Sequence, residues 1–157
     1  PHARVGGISG LLEFIVERGE TEDIPKLAER LQLHTEDLLA IIDAATLLGF
    51  AKVEAGDITV TEIGHIFADA NILSSKEIFR QQALANAPLV ATIYQTLLEK
   101  ENHEMRADFF MDILDEYYPE EEAQRQFETA VDWGRYAELF EYDASERWLS
   151  LSVSGDE

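Results

Sequence analysis

The fold is decided by residues 35–60, TEDLLAIIDAATLLGFAKVEAGDITV, where the spacing of the apolar residues changes. In the first half they recur three or four positions apart, which predicts a helix that ends near Gly49. In the second half they alternate around the turn-forming residues 55–57, which predicts a short β-hairpin. A helix followed directly by a hairpin is typical of winged-helix domains.

Two further helices are predicted before this segment. The apolar residues of the first are Ile8, Leu11, Leu12, Ile15 and Val16, and those of the second are Ile24, Leu27, Ala28 and Leu31. Asp23 is a suitable N-cap for the second helix, and Pro25 in its first turn loses no hydrogen bond. Three helices and a two-stranded wing predict a winged-helix-like unit over residues 8–61.

The chain stays helical beyond this unit, and a second hairpin is predicted near its end. Ser74 and Glu77 have capping-box spacing, residues 99–104 form a polar linker, and the hairpin strands are residues 139–142 and 148–151. Its resemblance to the first hairpin favours an internal duplication, in which Val53 corresponds to Tyr142 and Asp43 to Asp132, although such short patterns also recur by chance.

The predicted fold is therefore mainly α with two short β-hairpins, in winged-helix-like units joined by a helical segment. The predicted divisions are a winged-helix-like unit at residues 1–73, a helical connector at 74–104, a second helix-plus-wing unit at 105–151 and a tail at 152–157.

Charge is the strongest global property of the sequence. Against 32 Asp and Glu there are 12 Lys and Arg, so the formal net charge is -20, and polyanions should be repelled. The predicted third helix carries Glu36, Asp37 and Asp43 and no cation, which argues against DNA binding. The chain has no cysteine and no apolar run near the ~18 residues of a membrane span, so we expect a cytoplasmic protein without membrane insertion.

Two local patterns resemble functional motifs without completing one. Glu62 and His65 form a single E-x-x-H, whereas di-iron sites require two and further carboxylates. Gly6, Gly7 and Gly10 neither follow a strand nor precede a Gly-Lys-Ser/Thr sequence, so close helix packing explains them better than phosphate binding. No catalytic residue, metal ligand or cofactor-binding residue is assigned.

The most informative local cluster is Trp133-Gly134-Arg135-Tyr136, which follows Asp132. In one interpretation the aromatic rings fill the core, Gly134 ends the helix, and Arg135 pairs with a nearby carboxylate. In the other, the cluster contacts a separate domain.

Residues 2–13 (HARVGGISGLLE), 45–51 (ATLLGFA) and 131–140 (VDWGRYAELF) resemble the C-terminal AAA-associated domain. This domain follows the nucleotide-binding domain in ATP-binding subunits of ABC importers of the nitrate, sulfonate and bicarbonate type. The resemblance implies a non-catalytic regulatory or dimerisation domain, located at the cytoplasmic side of the inner membrane through the transporter complex.

The partners implied by the resemblance are an upstream nucleotide-binding domain, which alone would hold ATP and Mg²⁺, and a second subunit in a homodimer. Since the sequence begins with Pro1 and not Met, we expect it to be part of a longer chain. Candidate inter-domain contacts are Arg4, Gly6, Gly7, Asp132, Trp133, Arg135 and Tyr136. The alternatives are a winged-helix transcription regulator, a protein-interaction module unrelated to transport, and an enzyme of unrecognised type.

Overall fold

A computed structural model describes residues 3–19 and 21–151. The chain divides into two compact units, Pro1–Gln82 (unit 1) and Ala83–Glu157 (unit 2). The described residues form eight helices and six strands, and the strands belong to two small three-stranded antiparallel sheets. The predicted mainly α fold with short β-hairpins is confirmed.

Unit 1 contains the first three strands, the first four helices and most of the fifth helix. They are α1 (Val5–Glu17), β1 (Thr21–Asp23), α2 (Ile24–Leu31), α3 (Thr35–Leu47), β2 (Ala51–Glu54), β3 (Asp57–Val60), α4 (Glu62–Asp69) and α5 (Ile72–Asn86), of which α5 runs into unit 2. In the sheet, β3 lies between β1 and β2.

Side-chain caps set the start of three helices in unit 1. The Asp23 carboxylate accepts from the Lys26 N–H at 3.2 Å, and the Thr61 hydroxyl accepts from the Gly64 N–H at 3.1 Å. For α5 the predicted Ser74–Glu77 capping box is wrong. The Asn71 amide oxygen accepts from the Ser74 N–H at 2.9 Å, because α5 begins at Ile72, two residues before Ser74.

Three phenylalanines form the aromatic centre of the unit 1 core. Phe50 stacks on Phe67 with ring centroids 4.5 Å apart, and Phe79 lies 6.2 and 6.0 Å from the two. All three are buried, so this cluster holds the start of the hairpin against α4 and α5.

Unit 2 repeats the order of elements with which unit 1 begins. It contains the end of α5, then α6 (Pro88–Glu99), β4 (Glu104–Arg106), α7 (Ala107–Asp115), α8 (Glu120–Tyr136), β5 (Phe140–Asp143) and β6 (Trp148–Leu151). In its sheet β6 lies between β4 and β5. Each unit therefore has a helix, a strand, two helices and two strands, with the first and last strands paired.

Matching hydrogen bonds show which positions of the two units correspond. The Phe50 N–H donates to the Ala45 carbonyl at 2.9 Å, and the Leu139 N–H donates to the Gly134 carbonyl at 2.9 Å, just after α3 and α8 respectively. In the hairpins Val53 pairs with Ile58, and Tyr142 pairs with Leu149. Val53 and Tyr142 therefore occupy the same position, as the sequence comparison predicted.

The sequence pattern does not predict the third strand of each sheet. Both β1 and β4 are three residues long and mostly polar, so they carry no apolar alternation. They are defined by their pairing to β3 and β6, for example Glu22 opposite Ile58 and Met105 opposite Leu149.

Gly134 does not end its helix, contrary to the prediction. α8 continues to Tyr136, and the chain turns at Glu138, whose φ is 59°. A Cβ at Gly134 would overlap the ring of Phe140, so glycine is required here for the close approach of β5 to the helix.

Candidate functional site

The predicted contact residues of unit 1 lie at the start of α1. Arg4 is the N-cap, and its carbonyl accepts from the Gly7 and Ile8 N–H groups at 3.1 and 3.2 Å. A Cβ at Gly6 or Gly10 would meet no atom within 4 Å, so close packing does not explain these two glycines, contrary to the prediction. Arg4, Gly6 and Gly7 are exposed.

The predicted contact residues of unit 2 lie on the last turns of α8. Trp133 is completely buried, in agreement with the core interpretation, and Asp132 and Tyr136 are half-buried. Arg135 is exposed, and its Nε lies 3.5 Å from Oε1 of Glu141 on β5, so it pairs with a nearby carboxylate. Contact of these residues with a nucleotide-binding domain stays a prediction.

The exposed surfaces of the third helices, α3 and α8, are rich in carboxylates. On α3 the side chains of Glu36, Asp37 and Asp43 are exposed and the helix has no Lys or Arg. On α8 the first turn is Glu120-Glu121-Glu122, and the two arginines of the helix, Arg125 and Arg135, lie further along. These faces repel phosphate groups.

His65 of the E-x-x-H pattern on α4 contacts a carboxylate of its own helix. His65 Nε2 lies 2.9 Å from Oδ2 of Asp69, four residues further on. Within residues 3–19 and 21–151, no three His, Asp or Glu side chains are grouped so as to hold a metal ion. None of the described helices has the length and apolar composition needed to cross a bilayer.

An open apolar groove of about 420 Å³ lies in unit 2 between α6 and the C-terminal half of α7. We call it the α6–α7 groove, and its lining residues are Pro88, Leu89, Thr92, Phe110, Ile113, Leu114, Tyr117 and Tyr118. Phe110 and Leu114 are buried and form its floor, whereas Ile113, Tyr117 and Tyr118 are exposed. Its volume lies within the ~300–1,000 Å³ range of ligand sites.

The end of α7 places the two tyrosines at the groove. The N–H groups of Tyr117 and Tyr118 both donate to the Leu114 carbonyl, at 3.0 and 2.9 Å, which makes a tight turn. Pro119 follows and cannot continue the helix, because the residue before a proline disfavours helical backbone. Tyr117 consequently lies past the helix end with 75% of its surface exposed.

The segment of sequence that supplies the α7 side of this groove is rich in carboxylates. Residues 107–124 contain seven Asp and Glu and neither Lys nor Arg. Asp112, Asp115 and Glu116, which alternate with the lining residues of α7 and its turn, are exposed, as are Glu120 and Glu121. The α7 side of the groove thus belongs to a strongly acidic segment of the chain.

The sequence does not predict the groove. The spacing of Ile113, Leu114, Tyr117 and Tyr118 predicts a single helix with both tyrosines in its apolar stripe. In the structure α7 ends at Asp115, so both residues lie outside the helix. The available signal was two aromatic residues directly before Pro119, between clusters of acidic residues.

The turn between β5 and β6 contains a carboxylate with an altered pKa. The Ser145 hydroxyl donates to Asp143 Oδ1 at 2.8 Å, and the N–H groups of Glu146 and Ser145 donate to the same atom at 3.3 and 3.1 Å. These hydrogen bonds, that of the Ser145 hydroxyl foremost, lower the pKa of Asp143 below its ordinary value. This carboxylate organises the turn.

Comparison with known proteins identifies one family. The family model for the C-terminal AAA-associated domain matches residues 25–143, from the first turn of α2 to the end of β5. The match therefore covers most of the chain and includes residues of both units. Neither among curated proteins nor among solved structures was a significant match found.

Proposed function

The chain belongs to the family of C-terminal AAA-associated domains, and from this premise we propose that it is a non-catalytic accessory domain acting through protein contacts. The parent in this proposal is an ATP-binding subunit of an ABC importer of the nitrate, sulfonate or bicarbonate type. ATP and Mg²⁺ bind to the nucleotide-binding domain of that subunit, and the accessory domain regulates it or holds two subunits together.

The family match across residues 25–143 is the observation that carries this proposal. Charge supports a protein partner over a nucleic acid. On α3, the helix that a winged-helix regulator places in the DNA groove, Glu36, Asp37 and Asp43 stand where phosphate contacts need cations. A transcription regulator is therefore not proposed.

The proposed partners are the nucleotide-binding domain and the second subunit of a homodimer. Arg4, Gly6 and Gly7 on α1 and Asp132, Arg135 and Tyr136 on α8 are the proposed contacts, with Trp133 supporting α8 from the core. Through them the domain is held at the cytoplasmic side of the inner membrane.

Removal of residues 1–157 from the parent subunit tests the role. We expect the truncated subunit to bind Mg-ATP as before but to change its ATPase rate or its dimerisation, measured by phosphate release and by sedimentation. The isolated 157-residue chain should show no heat of binding with Mg-ATP, because it has no phosphate loop. Unchanged ATPase activity and unchanged dimerisation would reject the proposal.

Arg135→Ala tests the proposed contact more finely. Because Arg135 and Glu141 are both about half exposed, the isolated chain should lose only about 0–1 kcal/mol of stability, and less at high salt. The parent subunit should nevertheless change its ATPase rate or dimerisation. Arg147→Ala is a matched control, since Arg147 forms a similarly exposed pair with Asp108 at 2.9 Å and is not a proposed contact. An equal effect of both variants would contradict a contact specific to Arg135.

A further inference from the structure

We infer that one face of α3 in unit 1 binds a basic amphipathic helix of a partner protein. We call it the α3 face, and it consists of Glu36, Leu39, Asp43 and Leu47. The inference deepens the contact role proposed above and rests on it, because it names a surface and the chemistry of its partner. Apolar side chains of the partner helix contact the two leucines, and a Lys or Arg between them pairs with Asp43.

The geometry of the helix places Leu39, Asp43 and Leu47 in one row. They follow one another at intervals of four residues, so each side chain lies about one turn from the last. All three are exposed, whereas Leu38 and Ile42, which directly precede Leu39 and Asp43, are buried. The row therefore faces away from the core of unit 1.

The two leucines of the row are in contact with water. Leu39 is 42% exposed and Leu47 is 38% exposed. One exposed leucine is common on a protein surface, but two in the same row form an apolar surface about two helical turns long. Rows of side chains four residues apart are the ridges through which helices pack against each other. A helix of the partner is therefore the element that fits this face.

Carboxylates at defined positions of the face select a basic partner. Asp43 lies between the two leucines, and Glu36 lies about two turns before Asp43 on the same side of the helix. Neither carboxylate has a hydrogen-bond or ion-pair partner among the described residues, and α3 contains no Lys or Arg. A purely apolar partner would leave Asp43 buried without a partner, whereas a Lys or Arg beside it would form an ion pair.

The same charges argue against other occupants. Nucleic acid and acidic lipid carry phosphates, which Glu36 and Asp43 repel. Two copies of the α3 face packed symmetrically would bring together their Asp43 carboxylates, which lie at the centre of the row. A basic helix is the occupant whose charge is complementary to the face.

The second unit supports the choice of this side of the third helix. By the hydrogen-bond equivalence of the two units, Asp43 corresponds to Asp132, which is one of the contacts proposed on α8. Leu39 corresponds to Glu128, which is exposed and charged. The carboxylate is thus present on both third helices, but the leucine one turn before it belongs to α3 and not to α8.

Binding of a synthetic peptide to the full 157-residue chain tests the inference directly. The probe is a helix-forming peptide of about 15 residues, in which an Arg has a Leu four residues before and after it on a background of Ala and Gln. One control has Gln in place of Arg, and the other has the same composition in scrambled order. In an NMR titration we expect the probe to shift the amide signals of α3 and to bind at least about fivefold more tightly than either control. Equal affinities, or shifts that leave out α3, would overturn the inference.

Charge variants of the chain locate the binding. Asp43→Asn removes the central charge of the face and should weaken the probe at least about fivefold, with little effect on the Gln control peptide. Asp37→Asn is the matched control, because Asp37 is exposed on the same helix but lies outside the row. Equal weakening by the two variants would show only attraction by the total charge, which contradicts the inference.

Leucine variants test the apolar part of the face. Leu39→Gln keeps a good helix former and should weaken the probe at least about threefold. Leu73→Gln, at a position 78% exposed on α5, is the control and should bind as the parent does. A loss of affinity as large in Leu73→Gln as in Leu39→Gln would overturn the location. If Leu39→Gln fails to fold, Asp43→Asn, which keeps the volume of the side chain, decides the question.

The competing occupant is a second copy of this chain. Sedimentation of the parent and of Leu39→Gln reports self-association through the α3 face, and we expect both to sediment alike. A dimer that Leu39→Gln dissociates would overturn the inference in favour of a homodimer interface.

The parent subunit separates this inference from the proposed function. We expect Asp43→Asn to change its ATPase rate or its dimerisation in the same direction as removal of residues 1–157. An Asp43→Asn subunit that behaves as the parent, when removal of the domain has an effect, would reject this inference and leave the accessory role standing.

Discussion

Unit 1 and unit 2 have the same order of elements, but their large side chains lie at different positions. Where unit 1 has the large Phe50 after α3, unit 2 has Leu139 after α8, as their equivalent hydrogen bonds show. By the same equivalence Ala44 of unit 1 corresponds to Trp133 of unit 2, and Ala45 corresponds to Gly134. The hairpin register adds the pair Ala51 and Phe140. One backbone arrangement thus accepts two cores that have large and small side chains at different positions.

The surfaces of the two units differ as well. The turn between α2 and α3 exposes the polar Gln32 and His34, whereas the turn between α7 and α8 exposes Tyr117 and Tyr118. Only the second turn borders the α6–α7 groove. The comparison teaches that the two units share an order of elements but differ in the surface that this turn exposes.

Trp133→Ala is expected to have the largest effect, because Trp133 is the largest of the fully buried side chains, whereas the equivalent residue of unit 1 is Ala44. In unit 2 the change leaves a cavity at a completely buried position and should cost about 3–5 kcal/mol. Urea unfolding measures the loss. Trp148→Ala is the control, since Trp148 is half-buried and should cost less. A Trp133→Ala chain as stable as the parent would break the comparison.

Gly134→Ala sharpens the comparison with a compensating change. The new Cβ overlaps the Phe140 ring, so the variant should lose about 1–3 kcal/mol in spite of the better helix propensity of alanine. Adding Phe140→Ala reproduces the Ala45 and Ala51 pair of unit 1 and removes the overlap. The double variant should therefore lose less than the sum of the two single losses, as a double-mutant cycle measures. Additive losses would show that the two positions do not exchange volume.

In each unit a residue with left-handed backbone follows the third helix, and substitutions at the two positions should change stability in opposite directions. It is Gly49 in unit 1, with φ 86°, and Glu138 in unit 2, with φ 59°. Gly49→Ala should destabilise the chain by about 1 kcal/mol, and Glu138→Gly should stabilise it by roughly 0.5–1 kcal/mol. Thermal unfolding of both variants checks the signs. Two changes of the same sign would mean that the turns are not equivalent.

The smallest effect is expected at the tip of the second hairpin, where unit 1 has only Ala55 and Gly56. Asp143 has a lowered pKa in the folded chain, so its contribution to stability is complete above the ordinary value of 3.8 and is lost as the pH falls through the folded pKa. Ser145→Ala should raise the pKa of Asp143 towards 3.8, as an NMR titration of the side chain measures. An unchanged pKa would show that the Ser145 hydroxyl is not its main cause.

Much of this molecule was determined by local sequence. Apolar periodicity located the first three helices and both hairpins, and Asp23 caps its helix as its position predicted. The register relating Val53 to Tyr142 was also readable, because alternation and turn length act between neighbouring residues. The resemblance to the C-terminal AAA-associated domain agrees with the family match, which includes two of the three segments, 45–51 and 131–140.

Only the tertiary structure decided the remainder. Strands β1 and β4 exist because distant hairpin strands pair with them, and neither carries an apolar pattern of its own. Gly134 is needed for the ring of Phe140, which no helix-breaking rule predicts. The exposure of Tyr117 depends on where α7 stops and on what α6 leaves uncovered. A side chain's pattern sets which local structure it favours, whereas its burial depends on residues far away in the sequence.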